Sequence, residues 1–335
     1  MTDEKNIKDT VLSAQLDAVD EYLDGDPRYD QACKNVLANR VILAKLLKYC
    51  VDEFKNCSEE DIAFKYIEGD IQVSLVNVHR DATGAIKKPS KITGMNTEDA
   101  TITERKVFFD IRFSAVAPIK DKHIGLIINV ESQYGYYPGY PIPKRSLYYC
   151  CRLVSAQYGT VFEKSEYGKI QKVYSIWICT DPPEHMKNTI TSYSIEKTDM
   201  IGIVDEPKEN YDIIKSVVIC TGDKDTGDIE LQRFLNLLFS TEAKTEEKKR
   251  RFEKEFNIKM TEELAEGVSE MCNISQGIAK NAYDKGKAEG AENEKISLIK
   301  NLMETAKWTA EQAMEMLKIP TSDYEKYKSL IARSK

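Results

Sequence analysis

Two β-rich runs, residues 106–116 and 123–132, lie close together and are parted by a short stretch centred on Lys120 and Asp121. Such a pair predicts a hairpin, and a hairpin fixes more of this chain than any other local pattern in it. If it turns about Lys120 and Asp121, residues whose numbers add to 241 stand opposite each other, so Asp110 falls across from Glu131. In the second run Ile124, Leu126, Ile128 and Val130 point to one side of the strand. Gly125, Ile127, Asn129, Glu131 and Gln133 point to the other. A bulge would move this register by one residue and turn one strand over.

Two carboxylates roughly 5 Å apart on neighbouring strands repel, and a shared divalent cation with oxygen ligands relieves the repulsion. The expected ion is Mg²⁺, with Mn²⁺ or another divalent cation as alternatives. Phosphodiester hydrolysis uses this arrangement, because a cation stabilises charge in the transition state and acidifies an attacking water. In this reading Asp110 and Glu131 hold the metal. Gln133 can orient the water or a phosphate oxygen but cannot act as a base.

The flanking segments predict the order helix, three strands, helix, strand. Residues 35–55 carry Leu43, Leu46, Leu47, Cys50, Val51 and Phe54 at helical intervals and read as one helix. A shorter helix over 10–23 ends at Asp24-Gly25-Asp26-Pro27. Residues 71–78 read as a strand followed by a polar loop, 145–157 as a helix after the turn Pro138-Gly-Tyr-Pro141, and 173–179 as a buried strand. A further strand is expected over 211–220 and a helix over 228–239, after which strand signals stop. Gly286-Lys-Ala-Glu-Gly290 reads as a linker or a loosely packed helix before a small helical tail broken at Ile319-Pro320. The expected division is 1–34 as an N-terminal helical segment, 35–240 as the main domain, 241–290 as a charged connector and 291–335 as the tail.

On the helix over 145–157, Arg145, Tyr149 and Arg152 share one side and Gln157 lies near the end. They either line a DNA groove, where a guanidinium suits phosphate oxygens, or make ordinary surface pairs. Tyr134, Tyr136, Tyr137 and Tyr140 either stack on bases or bury their rings, and Trp177 reads as core. In the tail, Met303, Trp308, Met314, Met316 and Leu317 read as a satellite core or as a face through which the chain forms a homo-oligomer.

The net charge of −7 argues against a protein that coats nucleic acid through bulk positive charge, yet leaves room for a local basic groove. Eight cysteines without C-x-x-C spacing and only three histidines speak against a zinc site. No apolar run approaches the roughly 20 residues that span a bilayer, and residues 1–8 lack the order of a secretory signal, so a cytoplasmic protein with no membrane partner is expected.

Phe109-Asp-Ile-Arg-Phe113, Ile127-Ile-Asn-Val-Glu-Ser-Gln133, Pro138-Gly-Tyr-Pro141, Ser155-Ala-Gln157 and Val173-Tyr-Ser-Ile-Trp-Ile178 together resemble the Rpn family. These are recombination-promoting nucleases and transposases within the PD-(D/E)XK superfamily. The resemblance covers roughly residues 35–290. It implies an α/β, restriction-endonuclease-like αβββαβ core with a helical C-terminal extension, and a metal-dependent DNA endonuclease of recombination or mobile elements. It gives Asp110 and Glu131 the places of the motif's acidic residues and Gln133 that of its lysine, a departure that weakens charge stabilisation. A further acidic ligand from the first helix or just after it is implied, with Glu53 and Glu68 as candidates. Glu53 also reads as a solvated helix end and Glu68 as part of a turn. The alternative function is a catalytically inactive DNA-binding or regulatory protein that keeps the fold.

Overall fold

The computed structural model describes residues 27–73, 98–99, 107–108, 110–119 and 122–333. The helix expected over 10–23, the turn at 24–26, strand residues 74–78 and the hairpin tip Lys120-Asp121 lie outside them.

Helix α1, Pro27–Leu37, opens on a proline, whose missing N–H costs nothing in a first turn. It buries Tyr29, Ala32, Cys33, Val36 and Leu37. Helix α2, Arg40–Cys50, follows after two residues and buries Ile42, Leu43, Leu46, Leu47 and Cys50. The single helix expected over 35–55 is therefore two. Asn39 has extended backbone, and its side-chain oxygen accepts the Val41 N–H at 3.0 Å, which starts a new helix rather than continuing the old one. The chain becomes extended at Val51 and passes through a 3-10 turn, Asp52–Phe54, and a π-helical turn, Ile62–Tyr66.

Six strands form one mixed sheet. They are β1 Ile67–Val73, β2 Ile111–Ile119, β3 Lys122–Gly135, β4 Lys172–Asp181, β5 Thr189–Ser194 and β6 Ile214–Cys220, in the spatial order β1-β2-β3-β4-β6-β5. A separate two-residue ladder pairs Glu98–Asp99 with Val107–Phe108. Strands β1, β2 and β3 are antiparallel neighbours, β3, β4 and β6 run parallel, and β5 closes the far edge antiparallel to β6. The hairpin pairs Ile111 with Val130 through to Ile119 with Lys122, the register expected from the sequence. Pro118 fits in β2 because the ladder to β1 ends at Ala115, which among the described residues leaves one side of the strand without a partner strand there.

Helix α3, Ile142–Ser155, makes the crossover between the parallel strands β3 and β4. Its Ile142, Tyr149, Cys150 and Leu153 pack on Ile127, Val173, Trp177, Cys179, Val218 and Cys220. Ile128, Val130, Tyr174, Ile176 and Ile178 alternate onto the other face and are equally buried. The order from α2 to β4 is thus helix, three strands, helix, strand. Strand β5 carries no sequence signal because Thr-Ile-Thr-Ser-Tyr-Ser at an edge is mostly exposed and lacks an apolar face.

Helices α4, Glu230–Phe239, and α5, Thr245–Phe256, contribute Phe234, Phe252 and Phe256 to one aromatic cluster. Helix α6, Glu262–Thr305, takes in Gly286 to Gly290 without interruption. Contacts divide the chain into two compact units, residues 23–276 and a second unit that contains 277–335. In the second, α7, Ala310–Met316, and α8, Tyr324–Arg333, gather Ala313, Met314, Ile319 and Tyr327 around Ile299. Met303 and Leu317 pack at the edge of this satellite core, whereas Met316 is exposed.

Candidate active site

The site is built where β2 begins and β3 ends. Asp110 lies one residue before the first ladder pair and Glu131 one residue after it, so the hairpin register brings them side by side. The Asp110 N–H donates to Glu131 Oε1 at 3.1 Å, and the Ser132 N–H donates to Asp110 Oδ2 at 3.2 Å. Asn129, two residues back on the same face of β3, donates through Nδ2 to Glu131 Oε1 at 2.9 Å. Gln133 follows on that face, which it shares with Trp177 and Cys179 of β4. All four polar residues are buried.

Burial sets the electrostatics. It pushes the Glu131 carboxyl well above the usual carboxylate range, and the negative charge of Asp110 pushes it further. Burial also raises Asp110, while the Lys34 ammonium opposes the rise. Asp110 Oδ1 meets that ammonium at 3.0 Å but receives no aimed hydrogen bond among the described residues. Asn129 Oδ1 is buried with no hydrogen-bond partner among them either. Oxygens left in this state within a closed, polar site are what a hard cation or a water requires.

Lys34 comes from α1, and only 1% of its side chain is exposed. Its Nζ also lies 2.6 Å from Asp30 Oδ2, one helical turn back. Burial alone would lower the Lys34 pKa, yet Asp110 and Asp30 outweigh it, so the ammonium is held above its ordinary value. Asp30, Lys34, Asp110, Glu131, Gln133 and Arg145 surround a cleft of about 20 Å³, space for one water molecule or one small ion. A larger groove of about 640 Å³, lined by Arg28, Lys249, Glu262 and Glu266 among others, contains none of these residues.

Arg145 reaches the cleft from α3. Its guanidinium lies 4.9 Å from the ring centre of Tyr140, 5.2 Å from that of Tyr149 and 5.4 Å from that of Trp177. Nη2 donates to the Tyr149 hydroxyl at 2.8 Å and Nη1 to that of Tyr140. Three rings and two hydroxyls therefore fix a cation near Glu131, whose carboxyl feels its charge. Tyr149 packs on Trp177, which belongs to the core as expected and also forms a wall of the cleft.

Other residues singled out from the sequence stand apart. Glu53 accepts from Lys172 Nζ at 3.1 Å and from the Tyr174 hydroxyl at 2.5 Å. Tyr174 alternates with Trp177 along β4, so Glu53 serves the face of the sheet opposite Glu131. Glu68 is exposed on the edge strand β1, across from Ser114. Arg152 is buried, with Nη1 3.5 Å from the Tyr148 hydroxyl. Gln157 is buried as a brace: its amide donates to the Gln171 carbonyl at 2.9 Å and accepts the Gln171 N–H at 2.8 Å. Tyr137 and Tyr148 are exposed, and Tyr136 is half-buried against Tyr137.

Sequence reasoning missed Asp30 and Lys34. The available signal was a lysine set between Cys33 and Val36, inside the apolar stripe of a helix and four residues after an aspartate. Among the described residues no three acidic, thiol or imidazole groups converge into a closed metal shell. The donor set is two carboxylates with amide oxygens nearby, which suits an ion that takes one or two carboxylates and completes its shell with waters and substrate phosphates.

A family model described as PD-(D/E)XK nuclease family transposase matches residues 60–285. No curated protein and no solved structure matches the chain. Among the described residues no helix is long and apolar enough to cross a membrane.

Proposed function

We propose a function from one premise: the chain belongs to the PD-(D/E)XK nuclease family transposases, whose family model covers more than half of it. The proposed activity is hydrolysis of DNA phosphodiester bonds by an endonuclease that uses a divalent cation, Mg²⁺ by donor chemistry. The observation that carries this reading is the buried pair Asp110 and Glu131, with an Asp110 oxygen that receives no aimed hydrogen bond. Both carboxylates would hold the cation. The ion would supply Lewis acidity and a water acidified for attack.

The protein's own groups do the rest. Asn129 and the Asp110 N–H fix Glu131 Oε1, so that carboxylate can turn only its other oxygen toward the cleft. Gln133 offers an amide that can hold a water or phosphate oxygen by hydrogen bonding and takes no proton. Arg145, already immobilised by Tyr140, Tyr149 and Trp177, can bind a DNA phosphate with little further ordering. Burial of Trp177 and Tyr149 beside the cleft keeps the local dielectric low, which strengthens each of these interactions.

One observation favours a second reading, a non-cutting DNA-binding protein: Gln133 stands where the motif has lysine. Nicking of supercoiled plasmid with Mg²⁺ or Mn²⁺ separates the two. The parent chain should nick, and Asp110→Ala and Glu131→Ala should not. Equal nicking by all three would remove the site from the account, and a parent that binds DNA without cutting under either metal would favour the second reading.

A further inference from the structure

We propose that Lys34 supplies the positive charge that position 133 lacks, so that a helix preceding the family-matched span completes the active centre. This rests on the nuclease reading above and assigns to α1 a role that residues 60–285 do not contain.

Three observations carry it. Lys34 projects into the same cleft as Asp110, Glu131 and Gln133, with Nζ 3.0 Å from Asp110 Oδ1. It is buried as deeply as Lys45 and Lys248, but of these three only Lys34 lines the cleft that holds Asp110 and Glu131. Its ammonium lies within ion-pair distance of Asp30 Oδ2 and Asp110 Oδ1 and carries three donors, from which a phosphate oxygen brought to the metal ligands could also accept.

The other cation of the cleft is differently engaged. Arg145 spends Nε and Nη2 on the Tyr149 hydroxyl and Nη1 on that of Tyr140, and is clamped by rings. It is suited to hold a phosphate in place. Lys34 sits on a flexible stem beside a metal-ligand candidate and is suited to follow charge as it develops on the scissile phosphate. Asp30 is the positioning residue: from one turn back its carboxylate pairs with the ammonium and favours its charged form. A lysine that merely balanced Asp110 would be replaced in that task by the divalent cation, so the two roles can be told apart by measurement.

The full-length chain and its Lys34→Met, Lys34→Gln and Lys34→Arg variants are compared by plasmid nicking with Mn²⁺, by calorimetric titration with Mn²⁺ alone, and by thermal melting. Loss of a charge donor to the transition state should slow nicking about 100-fold in Lys34→Met and Lys34→Gln, by analogy with loss of one preorganised donor. Their Mn²⁺ affinity should stay level or tighten, because a competing cation has left Asp110. Lys34→Arg should recover part of the rate. If Lys34→Met melts below the assay temperature, Lys34→Gln decides, since it retains a donor for Asp110 without the charge. Nicking by Lys34→Gln at the parental rate overturns this proposal and leaves the nuclease reading intact. A parent that neither binds Mn²⁺ nor nicks overturns both.

Discussion

Replacing Glu131 with glutamine should stabilise the metal-free protein while abolishing its metal response. The substitution keeps the side chain's size and an oxygen able to accept from the Asp110 N–H and from Asn129 Nδ2. It removes a carboxyl whose pKa is raised well above normal by burial and by Asp110. Such a group binds its proton more tightly when folded than when unfolded. Its stabilising contribution is therefore complete below the unfolded carboxyl range and is lost as pH rises through the raised folded value. Two unit charges about 5 Å apart at an effective dielectric constant of about 20 repel by roughly 3 kcal/mol, which sets the scale of the strain at alkaline pH. Lys34 offsets part of it, so a gain of about 1–3 kcal/mol is expected at about pH 8 in EDTA, or roughly 3–9 °C in melting temperature for a unit of this size. The gain should shrink as pH is lowered from about 8 toward about 5, because protonation removes the charge of the parent's Glu131 whereas the glutamine has none to lose. Addition of Mn²⁺ should raise the parent's melting temperature and leave Glu131→Gln unmoved. Differential scanning calorimetry at the two pH values reads all of this. A variant less stable than the parent at pH 8 in EDTA, or a gain independent of pH, would refute the reasoning.

Two further outcomes follow from the packing. Arg145→Lys should weaken DNA binding by about 1–2 kcal/mol, since an ammonium loses the planar contact with three rings and the parallel donors; fluorescence anisotropy at fixed salt measures it, and unchanged affinity would remove Arg145 from the interface. Gln157→Ala should cost about 1–3 kcal/mol in urea unfolding, because it strands the Gln171 N–H and carbonyl, while DNA affinity of the folded protein stays at the parental value.

What the sequence made legible follows from how local each determinant is. The hairpin register follows from the short spacing between the two β-rich runs and from alternation along β3, so placing Asp110 beside Glu131 required only counting. Helix α3 and strand β4 are marked by an apolar period and by a continuous buried run, signals that survive without tertiary information. The break at Asn39 was missed because the apolar period passes through it almost unchanged, and capping by one side chain decides the geometry. Strand β5 was missed because an exposed edge needs no apolar face. Asp30 and Lys34 were missed because their partner in the cleft is about 80 residues away in sequence, and nothing within one helix says which strand end it will meet. Glu53 misled for the same reason: its neighbours Lys172 and Tyr174 belong to β4, and only the alternation of that strand puts them on the far face of the sheet.

The account turns on one divalent ion shared by Asp110 and Glu131, and a direct titration of the full-length chain with Mn²⁺ addresses it without requiring a DNA substrate. One site per chain is expected in the parent, with the heat of binding absent in Asp110→Ala and in Glu131→Ala at protein concentrations where both melt cooperatively. Undiminished Mn²⁺ binding in either folded variant would contradict it.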